Sequence, residues 1–396
     1  MPVNRERARL ALLRWAGLAL RGIPRPVPDG RQRILVIRPD HLGDVLLTRP
    51  AIERLARAVP DADLTVAIGP WGRPALGPRP AHTILICPFP GFSREHSSPF
   101  HRYWLLVHYA RLLRRRRYTL VVIGRPDHWW GALLAALAGI PTRIGYGTPE
   151  TAPFLTLALP PEPGRHAAAD ALALARAAVR YLGKECPADD HPPLPASAGP
   201  EERAVMARLL AAAGIGEEPL VVLQPGAGSP LKAWPPERLA AAGAVLAREL
   251  GARVVVSGSA SEHGLVQQVC DMLPEGGLNL AGALRWTELE ALLARATLVV
   301  GLDSGPLHLA VAAGTPSVAL FGPADPAQFG PWGSPARHRV VTAALPCRPC
   351  RRLDWCALEP EGTGPPPCMR AISVEELVEA ARLAVREGHD GIEATR

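Results

Sequence analysis

The chain has 396 residues, 48% of them hydrophobic, which is long and apolar enough for two domains with separate cores and too apolar for a disordered chain. Its formal net charge is +7, but residues 1 to 33 carry eight arginines against Glu6 and Asp29, so the remainder is nearly neutral. With only 5% aromatic residues, the body lacks the dispersed positive charge and stacking platforms of a nucleic-acid binder, and no nucleic-acid partner is expected.

At the head of the chain Arg7, Arg14 and Arg21 recur every seven residues, while Leu12, Leu13, Trp15, Ala16, Ala19 and Leu20 mostly fall on the other side of a helix. This is a basic amphipathic pattern. The apolar run is broken by Arg14, is too short to span a bilayer and is followed by no small-residue cleavage site, so neither a transmembrane helix nor a signal peptide is expected. Residues 1–33 read as an extension lying on the anionic inner face of the cytoplasmic membrane, or alternatively as a merely solvated one. From Ile34 onward short β-branched runs at 34–38, 64–68, 83–86 and 120–123 alternate with helical stretches over Asp44–Ala58 and Tyr103–Arg116. The second helix ends in Arg111 and Arg114 to Arg117, which complement a helix C-terminus as well as they would lipid headgroups. A Pro-rich interval from Pro187 to Pro200 breaks the pattern, and 187–214 reads as a linker with a connecting helix. The alternation resumes with strands at 220–224, 253–258, 298–302 and 317–321 and helices over Pro235–Leu250 and Leu289–Ala296. The predicted fold is α/β, two doubly wound Rossmann-like domains over 34–186 and 215–345. Residues 346–396 form a cysteine-bearing loop and a last helix, Val374–Glu387, placed where it could return to the first domain.

Three strand-to-helix turns carry the chemistry. In RPDHLGDVLLTRPAI, residues 38–52, Gly43 allows a tight approach and Asp44 opens a helix, where a carboxylate is either a cap or a functional group. In VVLQPGAGSPLKAWPPERL, 221–239, Gly226, Gly228 and Ser229 follow a strand and Lys232 precedes a helix, so backbone amides and one lysine make an anion pocket. The stretch has neither the P-loop signature nor GxGxxG, which argues against a nucleotide triphosphatase or a dinucleotide oxidoreductase. In LVVGLDSGPLHLAVAAGTPSVALFGP, 298–323, Asp303, Ser304, Gly305 and His308 stand between a strand's C-terminal end and a helix's N-terminus, the edge where open α/β sheets bind ligands. His308 is read either as part of that site or as an ordinary helix histidine. Cys347, Cys350, Cys356 and Cys368 have the composition of a tetrahedral zinc site, with free thiols under the last helix as the alternative.

Together these stretches resemble glycosyltransferase family 9, the heptosyltransferases that build the inner core of bacterial lipopolysaccharide. The resemblance runs from Ile34 to about Leu383 and rests on LGDVLLTRPAI (42–52), PGAGSPLKAWP (225–235), LDSGPLHLAVAAGTP (302–316), FGP (321–323) and CMRAIS (368–373). It implies the GT-B arrangement, two Rossmann-like domains facing a cleft, with acceptor on the N-terminal domain and nucleotide-sugar on the C-terminal one. It implies that Asp44 is the base that deprotonates the acceptor hydroxyl, with inversion at the sugar. Lys232 is implied as the phosphate lysine, helped by Ser229 and the amides from Gly226 to Ser229. Ser304, Gly305 and Pro306 would bring the backbone up to the diphosphate, Asp303 would brace the turn and contact the donor, His308 would face the cleft, and Glu262 in SGSASEH would hold the ribose hydroxyls. Positive side chains and helix N-termini would replace a catalytic metal, so no cofactor is required beyond a possible structural zinc. Asp40, His41 and Gly43 fall on the acceptor side. Gln224 stands where the family often has His, and Pro39, Asp40 and His41 where small serines are frequent, which leaves the acceptor open. The implied function is an inverting transfer of a sugar, heptose in the first place, from an ADP-sugar to a lipid-linked or oligosaccharide acceptor of the lipopolysaccharide core or a related glycan. The enzyme would be cytoplasmic and peripheral on the inner membrane face. A nucleotide-sugar epimerase on the same fold and a non-catalytic scaffold are the alternatives; Asp44, a base supplied by the first domain, argues against the epimerase, and retention of both Asp44 and Lys232 argues against the scaffold.

Overall fold

The computed structural model describes residues 2–24, 30–77, 81, 83–92, 98–186, 191–362 and 364–393, so residues 25–29 of the expected extension and 187–190 of the expected linker lie outside the described residues. The chain divides into two compact units, 1–192 and 193–396.

In the first unit the elements are α1 (Pro2–Ala19), β1 (Arg33–Arg38), α2 (Leu42–Ala58), β2 (Asp63–Ile68), β3 (Thr83–Ile86), α3 (Pro99–Arg116), β4 (Leu120–Ile123), α4 (Trp129–Leu137), β5 (Thr142–Tyr146), β6 (Leu157–Leu159) and α5 (Ala167–Tyr181). The six strands are parallel in the order β3-β2-β1-β4-β5-β6. Because side chains alternate along a strand, Leu35 and Ile37 of β1 and Val121 and Ile123 of β4 turn to one face. There they share a core with Leu105 and Leu113 of α3 and Leu134 of α4. The central strands are buried from Ile34 to Arg38 and from Leu120 to Ile123, as a parallel sheet covered on both faces requires.

α1 belongs to this unit, which corrects the expectation of a separate extension. Leu13 is buried in the same core and Leu10, Ala16 and Leu20 pack against it. Arg9 lies over the Trp129 ring, 5.7 Å from its centroid. Gly17 passes so close to Pro153 that a Cβ would stand 2.5 Å from the Pro153 carbonyl oxygen. The helix is apolar on two sides: one is spent on the core, while Leu12, Trp15 and Leu18 stay exposed on the other. Overpacking at such a contact typically costs about 1–3 kcal/mol, and Gly17→Ala is expected to lower stability by that amount in urea unfolding. An unchanged midpoint would mean that α1 is only loosely attached.

The second unit contains α6 (Pro200–Ala212), β7 (Leu220–Gln224), α7 (Pro236–Leu250), β8 (Arg253–Val256), α8 (His263–Asp271), β9 (Leu278–Asn279), α9 (Trp286–Arg295), β10 (Leu298–Leu302), α10 (Gly305–Ala312), β11 (Ser317–Leu320), α11 (Pro326–Phe329), β12 (His338–Val341), α12 (Pro367–Arg370) and α13 (Val374–Glu393). Its parallel sheet has the order β12-β11-β10-β7-β8-β9. Read from the other edge, this is the same winding as in the first unit, the order of dinucleotide-binding folds. α13 belongs to this second unit. Its apolar residues Leu377, Val378, Ala381 and Val385 fill the second core, and Arg382 meets Glu249 of α7 at 2.7 Å.

Candidate functional site

A doubly wound sheet binds ligands where its strand order reverses, because the loops leaving the two adjacent strands diverge there and open a crevice. In the second unit that point lies between β7 and β10, and two of the three predicted motifs begin at the ends of these strands. Gln224 closes β7 and donates from Nε2 to the Ser257 hydroxyl beyond β8. The loop then passes through Gly226 and Gly228 into a 3-10 turn, Pro230–Lys232. After β10 the chain passes Asp303, uses Ser304 as N-cap and enters α10 at Gly305. Lys232 Nζ lies 2.7 Å from Asp303 Oδ2 and locks the two loops together. The Ser304 hydroxyl is buried without a hydrogen-bond partner among the described residues at the start of α10, beside first-turn amides that a helix leaves unpaired. A lysine, a hydroxyl and a helix start are thereby gathered at one sheet edge. His308 is buried within α10.

Two other predicted residues have structural work of their own. The Ser229 hydroxyl accepts from the Leu231 amide at 3.2 Å and donates to the Leu353 carbonyl at 2.7 Å, so its proton is already engaged. Glu262 Oε2 accepts from both the amide and the hydroxyl of Ser259 at 2.7 Å. Its Oε1 presses on the glycine loop, where a Cβ at position 226 would collide with it. A side chain at 226 would have to displace that carboxylate, whereas open space surrounds Gly228.

The first unit reverses its strand order between β1 and β4, and the third motif leaves β1 at this point. Asp40 is 1% exposed and is held by Arg38 Nε at 2.8 Å and by Arg125 Nη1. Burial by itself would raise its pKa, but the adjacent Arg38 and Arg125 outweigh that and hold the carboxyl below the usual carboxylate range. Asp40, expected on the acceptor side, is a buried counter-ion. Arg125, half-buried, also binds the exposed Asp127 at 2.5 Å and lies over Phe92. Arg38 donates to the Gly124 carbonyl and places Nη2 3.9 Å from Asp44 Oδ1. His41 is the N-cap of α2, and its ring centroid lies 5.8 Å from that of Trp71. Gly43 and Asp44 follow in the first turn, so Asp44 is not the N-cap, and its side chain is 32% exposed. His128 is buried beside Phe89 and Trp130 with neither ring nitrogen hydrogen-bonded among the described residues; burial pushes its pKa down to about 4 and keeps it neutral. Arg125 and His128 were missed from sequence, yet a signal existed: RPDH occurs at 38–41 and again at 125–128, at the ends of neighbouring strands.

The cysteine loop is tied to the second site. Arg348 donates to the Gly322 and Ala343 carbonyls at 2.6 and 2.8 Å, and Arg351 pairs with Asp325 at 2.6 Å. All four cysteines are free, with Cys347 and Cys350 exposed, Cys356 half-buried and Cys368 buried. Burial raises the Cys368 pKa, Arg348 opposes that, and the other three cysteines raise it further. Among the described residues no group of three or more His, Cys, Asp or Glu is arranged to hold a metal ion.

Comparison with known proteins gives a consistent result. The profile of glycosyltransferase family 9 (heptosyltransferase) matches residues 106–357. Lipopolysaccharide heptosyltransferase 2 of Salmonella typhimurium is 30% identical over 325 residues, 78% of this chain and 88% of that protein. Lipopolysaccharide heptosyltransferase 3 of Escherichia coli is 29% identical over 303 residues, 74% and 84% of the two chains. The solved structure of E. coli ADP-heptose lipopolysaccharide heptosyltransferase II shares the fold, with a TM-score of 0.67 at 23% identity, covering 90% of this chain and 100% of that one. The fold is α/β of the GT-B class.

Proposed function

The chain belongs to glycosyltransferase family 9, and from that premise we propose that it transfers heptose from ADP-heptose, with inversion and without a metal ion, to a lipopolysaccharide-core or related glycan acceptor. The observation that carries the reading is the Lys232–Asp303 pair next to the buried Ser304 hydroxyl and the start of α10. This edge suits a diphosphate: the lysine supplies charge, the hydroxyl and the helix amides supply donors, and none of them needs a bridging cation. Glu262, against Gly226, is the group for the ribose hydroxyls, and the amides from Gly226 to Ser229 continue the anion contacts. The lipopolysaccharide heptosyltransferases among the relatives, and the ADP-heptose named for the similar structure, support the donor and acceptor class.

In the reaction on this reading, the Asp44 carboxylate takes the proton of the acceptor hydroxyl as its oxygen bonds to the anomeric carbon. The bond from that carbon to the phosphate oxygen breaks, and ADP leaves with the electron pair. Inversion follows because the attacking oxygen and the leaving group stand on opposite faces of the carbon. Lys232 and the α10 amides offset the charge that grows on the leaving diphosphate. Arg38, fixed by Asp40, steadies the base, and Arg125 is the group that meets an anionic acceptor. The lipid-linked acceptor places the work at the inner membrane face, with the outward side of α1 against the lipid. Among the described residues no helix is long and apolar enough to cross a membrane.

Titration calorimetry of the full chain in EDTA with ADP-, UDP- and GDP-sugars tests the assignment. ADP-heptose is expected to bind, with the UDP and GDP sugars weaker. A UDP or GDP preference would overturn the donor, and transfer that depends strictly on added magnesium would overturn the metal-free mechanism.

A further inference from the structure

α3 presents a surface that folding does not use. Its inward side, Leu105, Leu106, Ala110 and Leu113, is buried in the first core, yet Phe100, Tyr103 and Trp104 are 87%, 70% and 59% exposed and Val107 is exposed beside them. Their spacing of three and four residues sets them in one stripe. Arg111 and Arg115 prolong it, and residues 98–119 contain six arginines and no Asp or Glu. A surface groove of about 190 Å³ runs along the helix between Trp104, Val107, His108, Arg111, Leu112 and Arg115. Aromatic and aliphatic walls therefore lead directly to two guanidinium groups. α1 adds to the same surface chemistry: its Leu13 shares the core with α3, while Leu12, Trp15 and Leu18 are exposed on its opposite side.

We propose that the outer face of α3 docks on an anionic lipid bilayer, with Tyr103, Trp104 and Val107 in the interfacial layer and Arg111 and Arg115 on lipid phosphates. Such a surface satisfies both halves of the stripe. Amphipathic rings settle at headgroup depth, and guanidinium groups gain from the negative surface potential while their stems lie along apolar surface. The unbroken positive charge of this segment selects anionic over neutral lipid. The inference deepens the membrane reading above by moving the principal contact from α1 to α3. It is read from vesicle binding alone, without donor or acceptor, so a failure of the transferase assignment leaves it standing.

The test is co-sedimentation of the full chain with vesicles of phosphatidylcholine and phosphatidylglycerol in equal parts, against pure phosphatidylcholine. The variants are Tyr103→Ser/Trp104→Ser/Val107→Ser and Arg111→Gln/Arg115→Gln, with Leu12→Ser/Trp15→Ser/Leu18→Ser as the α1 counterpart. All change exposed side chains, and unaltered thermal unfolding verifies that they fold. Wild type should bind the anionic vesicles and release them at high salt. Each α3 variant should bind roughly tenfold more weakly or worse, since every arginine near such a surface contributes appreciably. Wild-type binding by either α3 variant, loss confined to the α1 variant, or equal wild-type binding to neutral vesicles would overturn the proposal. So would a fall in the solution mass of the α3 variants from oligomer to monomer, which would make the stripe a contact between copies.

Discussion

Asp44→Asn is expected to lower turnover by about two to four orders of magnitude, the usual contribution of a general base, while leaving ADP-sugar affinity within a few fold. A sugar hydroxyl is a weak nucleophile at neutral pH, and an amide cannot accept its proton. The geometry separates this outcome from a structural one. Asp44 is not the N-cap of α2, a position held by His41, and its side chain is partly open to solvent in the first turn. Its ion-pair neighbour Arg38 already has a shorter partner in Asp40 at 2.8 Å, against 3.9 Å to Asp44, so the substitution leaves no buried charge without a counter-ion. Stability should change little. Single-turnover kinetics with saturating donor, alongside a melting curve, give both readings. Near-normal turnover would reduce Asp44 to a helix-terminus charge, and a large loss of stability with proportionate loss of activity would make it structural.

Much of the scaffold that holds this group is legible in the sequence. Runs such as Leu120–Ile123, Leu220–Gln224 and Leu298–Leu302 coincide with strands, because a strand covered on both faces must be apolar along its whole length. The strands that carry no such signal are β5, β6, β9 and β12. Three of these are sheet edges, where pairing is one-sided and two to four residues suffice; β5 contains Arg143 and Gly145. α1 misleads for a different reason, since a helix apolar on two sides looks the same in sequence whichever side meets the core. In the site, the turns at Gly43, Gly226 and Ser304 are readable because small and polar residues at a strand-to-helix junction are a local signal. Their partners are not. Lys232 meets Asp303 and Asp40 meets Arg125 only because of which strand neighbours which, and Ser229 meets Leu353 only because a distant loop folds back over it; short-range periodicity carries neither. The repeated RPDH is the exception, two copies of one tetrapeptide brought together by the pairing of β1 with β4.

The Lys232–Asp303 contact also shapes the effect of removing the lysine. Lys232→Ala is expected to weaken ADP binding by about 1.5–3 kcal/mol, the range of a charged hydrogen bond, which is roughly tenfold to somewhat over a hundredfold. It also strands Asp303, which is buried and at 2.7 Å from the missing ammonium. A lone buried carboxylate near the diphosphate would repel the ligand and destabilise the fold, so the single variant overstates the lysine's direct share. Lys232→Ala/Asp303→Asn separates the two effects. The double variant should recover most of the lost stability, because no charge is left without a partner, but only part of the ADP affinity, because the cation is still missing. Calorimetric titration with ADP and urea unfolding of wild type, both single variants and the double variant complete the cycle. Full recovery of ADP affinity in the double variant would mean that Lys232 serves only to neutralise Asp303. Unchanged affinity in Lys232→Ala would remove both loops from the diphosphate, and with them the observation on which the donor assignment rests.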